Sequence, residues 1–236
     1  MKQLIIILVF MAVSIKAVDP ILMMQRAATV KRAAAGGGIT DVAADTSGFN
    51  ENTSVVSYAT ARDDDAADTY AFATLGVGQR YIASVYTVWR TVIGFSVPAG
   101  IGTISAVTLN VYGHDNDTEV DFDLYVVGAV DAASELTVDD FSHFDGRQTG
   151  GAHNGTVLND TWNTVSYDND LMTIAFNASG IDSVTSAIDG TLWIALISGE
   201  DYDNSSPSLA LSERIEVESH KHLTEYPYLH ITYTGP

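Results

Sequence analysis

Short runs in which apolar and polar residues alternate with a period of two recur along this chain, separated by Gly, Asn and Asp turns. Within Thr87 to Val97, Trp89, Ile93, Phe95 and Val97 fall on one face, with Thr91 between them, and Val88, Arg90 and Val92 on the other. Ile104 to Tyr112 alternates in the same way. Between Glu119 and Val126, the residues Val120, Phe122, Leu124 and Val126 oppose Glu119, Asp121, Asp123 and Tyr125. Leu192 to Ile197 is apolar on both faces, which predicts a central strand covered on both sides. Leu229 to Tyr233 begins just after Pro227, a position that suits a strand start.

One internal helix is predicted over Gly180 to Ala187, from Ile181, Val184 and Ile188 at i, i+3 and i+7, with Ser179 or Asp182 as its cap. Many short strands with regular turns predict an all-β domain, a jelly roll or β-sandwich, spanning residues 39–236. Residues 1–38 read as an apolar and helical arm with a flexible break at Gly36-Gly37-Gly38. Within the arm, Met1 to Ala17 has the layout of a secretory signal peptide. The same run fits a retained segment buried against a neighbouring subunit, and it is short for a membrane span. Ile21 to Ala35 reads as a short helix.

Composition narrows the classes. The 236 residues are 46% hydrophobic, enough for one substantial core. No cysteine is present, which excludes disulfides, thiolate catalysis and Cys-based zinc sites. The net charge is −19, and five of the eleven basic residues precede residue 33. The acidic remainder repels nucleic acid and anionic lipid. Arg90, mid-strand in an acid-rich chain, is expected to be buried and paired with a carboxylate.

Strand patterns carry a family resemblance. VWRTVIGFSVPAGIGTISAVTLNVYG (88–113) places Arg90, Phe95 and Pro98 ahead of an Ile104, Ala106, Leu109 strand. Ser212-Glu213 precedes a closing Pro227, Leu229, Ile231, Tyr233 strand. Together these resemble the DNRLRE-type modules, carbohydrate-binding-module-like β-jelly-roll domains of secreted and virion proteins. The likeness covers residues 45–236 and is loose from Asp131 to Asn177. It implies a domain that binds polysaccharide or builds surface structure, without catalysis.

The expected function is a non-catalytic structural or adhesive subunit at the surface of a virion or another extracellular assembly. It would associate with itself or with other subunits. The alternative is a secreted carbohydrate-binding protein. Trp162 lies in the polar stretch Asn159 to Asn163 and is the candidate sugar platform, with Tyr167 and Tyr202, whereas Trp89 and Trp193 read as core. Calcium is the candidate ion, at Asp63, Asp65 and Asp68 and at Asp201 and Asp203, although no stretch matches an EF-hand. His220, His222 and His230 are a weaker metal set. Six of the ten asparagines stand in Asn-x-Ser/Thr, at Asn52, Asn116, Asn154, Asn159, Asn177 and Asn204, the acceptor signature of a glycoprotein.

Overall fold

A computed structural model of the chain describes residues 37–130, 136–207 and 211–235. The signal-like run, the Ile21 to Ala35 helix and nearly all of the predicted arm lie outside the described residues. Twelve strands make up the domain, and every pairing between them is antiparallel. They are β1 (Gly38–Ala43), β2 (Thr46–Ser54), β3 (Thr69–Ala71), β4 (Thr74–Ile82), β5 (Val85–Val97), β6 (Ile104–Asn116), β7 (Asp123–Gly128), β8 (Val157–Asn163), β9 (Leu171–Ala175), β10 (Gly190–Ser198), β11 (Ser212–Glu218) and β12 (Tyr228–Tyr233). The main path runs β1-β12-β6-β11-β4-β5-β10-β7-β8, with β2 and β3 beside β5 and β9 beside β6. The sheet curls so that β1, β6, β9 and β12 close over β4, β5, β7, β10 and β11. This is the all-β, jelly-roll-like architecture that the alternation predicts.

The two-residue period decides what each face buries. Ile93, Phe95 and Val97 of β5 point inward with Leu192, Ile194 and Leu196 of β10, meeting Val107, Leu109 and Val111 of β6 and Leu229 and Ile231 of β12. The opposite faces of the same strands form a second, smaller cluster of Val92, Val127, Ala195 and Ile197 beneath Leu136 and Phe144. The double-faced pattern of Leu192 to Ile197 thus places β10 between β5 and β7, covered on both sides.

Two sequence expectations shift. The strand read from Glu119 begins only at Asp123, and Val120 is exposed; backbone bonds from Asp117 and Glu119 to the β11 carbonyls of Arg214 and Ser212 hold that stretch as a loop. The helix spans Ala178–Ser186 (α2), and its cap is Asn177 rather than Ser179 or Asp182. The Asn177 side-chain oxygen accepts the Gly180 N–H. Two further short helices matter to the site: α1 (Tyr58–Arg62), capped by Ser57, and α3 (Gly199–Asp203), capped by Ser198. Among the described residues no helix is long and apolar enough to cross a membrane.

Candidate functional site: a tryptophan-floored groove beside a buried arginine knot

On the outer face of the β5–β10 pair, two arginines are fully buried. Arg90 points away from the main core because it alternates with Trp89 and Thr91. Its guanidinium takes Asp201 as a fork: Nε donates to Oδ2 at 2.7 Å and Nη2 to Oδ1 at 2.9 Å. The remaining donors reach the Phe141 and Arg62 carbonyls, and the plane lies 4.0 Å from the Phe141 ring centroid and 5.0 Å from that of Phe144. Arg62, at the end of α1, donates from Nε to the Asp201 carbonyl and from Nη2 to the Gly151 carbonyl, and pairs with Asp63 through Nη1. His153 completes the knot, 3.0 Å from Arg62 Nη2, with its Nδ1 accepting the Gln148 N–H. The expected buried, carboxylate-paired state of Arg90 is therefore what the fold contains.

Electrostatics follow from the packing. Burial alone would raise the Asp201 carboxyl, but Arg90 and the His153 hydrogen bond overcome it and hold the group well below the usual carboxylate range. Burial, joined by Arg90 and Arg62, holds His153 below its ordinary value against the pull of Asp201. The knot fastens the glycine-rich segment Gly146 to Gly155 onto α1 and α3. Arg147 strengthens this, donating to the Asp63 and Asp64 carbonyls and to Asp65 Oδ1.

The two stems of that segment, Asp145 and Thr156, form one wall of a shallow groove of about 590 Å³. Asp182, Ser183 and Ser186 of α2 also line it, together with Thr191, Leu192 and Trp193 of β10. The Trp193 ring rests on the backbone of Gly94, directly opposite in register; a Cβ there would come within 2.6 Å of the indole. With Gly94 beside it, the partly buried Trp193 is one of the residues lining the groove. The expectation that Trp193 belongs to the core holds in part: it alternates with Leu192 and Ile194, so it packs, partly buried, against the outer cluster of Val92, Val127, Ala195 and Ile197 and not in the main core.

The three expected platform aromatics do not share a site. Trp162 lies on β8, opposite Leu124, half-buried against the main core rather than in a polar loop. Tyr167 packs on the same core, and its hydroxyl donates to the Glu216 carbonyl; burial pushes its phenol up to about 12. Tyr202 belongs to the opposite, outer cluster, where it meets the Tyr125 ring and donates to the Gly155 carbonyl.

The expected calcium carboxylates are directed to protein donors. Asp201 and Asp63 serve the arginines, Asp65 pairs with Arg147, Asp68 accepts the Thr53 N–H and hydroxyl, and Asp203 is exposed. Asp201 has both oxygens occupied by guanidinium donors, so it neutralises arginine where the sequence suggested calcium. The three histidines do not meet: His220 bonds Ser47, His230 pairs with Asp41, and His222 lies beside Glu218 and Glu225. That last trio is the group of metal-ligating side chains that comes within 4.8 Å among the described residues, but His222 Nδ1 already accepts the Glu225 N–H.

The sequons divide by burial. Asn52 and Asn159 are buried and spend their amide nitrogens on the Ala61 and Ala175 carbonyls, so the folded domain has no room for a glycan on either. Asn116, Asn154 and Asn177 are exposed, and Asn204 is half-exposed. Neither a scan against protein-family models nor a search of curated proteins returns a match to this chain.

Proposed function

We propose that this domain is a non-catalytic adhesive module that holds a saccharide in the Trp193 groove, displayed from an extracellular or virion surface. The observation that carries the reading is Trp193, its ring laid on Gly94 and partly exposed in a groove lined by both apolar and polar side chains. A flat indole packs against the apolar face of a pyranose, and side-chain oxygens from Thr156, Thr191 and Ser183 stand within the groove to meet ring hydroxyls. The groove between the helix and the loop stem is open to solvent, which suits part of a chain rather than an enclosed small molecule. The two carboxyls that burial raises, Glu200 and Glu213, line no part of it, which favours binding over acid–base chemistry. The resemblance to surface-exposed jelly-roll modules supports the same reading.

Isothermal titration against a panel of neutral, amino and acidic oligosaccharides tests it. Trp193→Ala should abolish the heat of any binder while the fold, read by circular dichroism, is retained. Binding unaffected by Trp193→Ala, or lost instead in Trp162→Ala, would overturn the assignment.

A further inference from the structure

We propose that the groove selects saccharides carrying a positive charge, namely glycans with free primary amino groups, over N-acetylated and acidic ones. The inference rests on the saccharide reading above and adds the class of sugar. Its basis is the donor and acceptor balance of the walls. Two carboxylates line the groove, Asp145 from the loop stem and Asp182 from α2, and among the described residues no Lys, Arg or His does. Asp145 is fixed in place: its backbone N–H donates to the Gly128 carbonyl at 2.7 Å and its Oδ2 accepts the Thr156 N–H at 2.9 Å. That partner is a neutral amide, not a cation. Among the described residues neither carboxylate forms an ion pair.

The hydroxyls bias the groove further. Ser183 Oγ donates to the Ser179 carbonyl and Ser186 Oγ to the Asp182 carbonyl, both at 2.9 Å along α2. With their protons spent on the helix, these oxygens are left as acceptors. Among the polar side chains of the lining, Asp145, Asp182, Ser183 and Ser186 therefore offer acceptors, beside the hydroxyls of Thr156, Ser179 and Thr191. An ammonium group supplies three donors and no acceptor, and its charge is drawn both to carboxylates and to an indole face. An N-acetyl group adds a carbonyl acceptor in place of two donors and removes the charge. A uronate brings a third carboxylate into a site with no cation, within the field of a chain of net charge −19.

The test titrates the whole domain with a short glucosamine oligomer, its fully N-acetylated counterpart and a galacturonate oligomer, at low salt and at 0.5 M salt. The glucosamine oligomer should bind tightest. Asp182→Asn should weaken it about two- to fivefold, the range of one exposed charge pair, while leaving the N-acetylated oligomer unchanged. High salt should narrow the gap. If the N-acetylated or acidic oligomer binds as well or better and still depends on Trp193, the charge selection fails and the saccharide reading stands. If the glucosamine oligomer binds equally to wild type, Trp193→Ala and Asp182→Asn, it is adhering to the acidic surface at large, and both readings fail.

Discussion

Replacing Arg90 by Met removes the cation at the centre of the buried knot and leaves its shape nearly filled. Asp201 is then fully buried with one remaining ionic contact, the Arg62 Nε at 3.2 Å, and His153 at 3.5 Å. Breaking one partner of a buried pair costs about 3–5 kcal/mol. The Phe141 and Arg62 carbonyls each lose a charged donor, about 1 kcal/mol apiece. The methionine side chain, packed between Phe141 and Phe144, returns about 1–2 kcal/mol. The expected net loss is about 4 kcal/mol, a large part of the 5–15 kcal/mol typical of a domain. Urea unfolding followed by tryptophan fluorescence reads it as a fall of about 2 M in midpoint at a slope near 2 kcal/mol/M.

The stranded carboxyl has a way out, since protonation removes its charge. Without Arg90, burial raises the Asp201 carboxyl, so the variant's deficit should grow as pH rises from 5 to 8. Arg90→Met combined with Asp201→Leu removes both charges, and should recover at least about 2 kcal/mol relative to the sum of the single changes. A loss under about 1 kcal/mol for Arg90→Met, or additive effects in the double variant, would refute the reasoning.

Three further outcomes are expected. Burial, with Glu213, Asp123 and Asp203 nearby, pushes Glu200 from 4.5 up to about 7; its folded form holds a proton that the unfolded form has released, so stability should fall as pH rises through this window, and Glu200→Gln should flatten that slope in melting curves. The β4–β5 hairpin turns at Ala83 and Ser84 with φ of 52° and 65°, a mirror-type turn that favours Asn-Gly; the double change to Asn-Gly should raise stability by about 1–2 kcal/mol in the same urea assay, and a loss would contradict the turn geometry. Glycopeptide mass spectrometry of protein from a glycosylating host should find occupancy at some of Asn116, Asn154, Asn177 and Asn204 and none at Asn52 or Asn159.

The period-two pattern made the strands legible because each strand of a curled sheet has one committed face. Ile93, Phe95 and Val97 could be placed on one common face from spacing alone. Arg90 was legible for a related reason: a lone guanidinium among strand apolars must find a carboxylate. Its partner was not, because Asp201 lies 111 residues away on a helix of five residues, and nothing local ties the two. The groove was hidden by β10 itself. When both faces of a strand are apolar, alternation cannot say which face meets the core, so Trp193 reads like its neighbours. The signal that separates it is Gly94, whose missing side chain makes room for an indole, and that contact depends on strand register. Trp162 misled in the opposite direction: its polar neighbours Asp160 and Asn163 suggested a loop, yet they are the outward positions and the end of a strand whose inward residues are buried.

NMR of the isotope-labelled domain with an added amino-sugar oligomer separates these alternatives in one spectrum. The Trp193 indole N–H and the backbone amides of Thr156, Ser183 and Thr191 should shift on titration, while the Trp162 indole stays still. Shifts centred on Trp162 and Tyr167, or an unchanged spectrum across the whole panel of amino, neutral and acidic oligosaccharides, would contradict the assignment of the groove as the binding site.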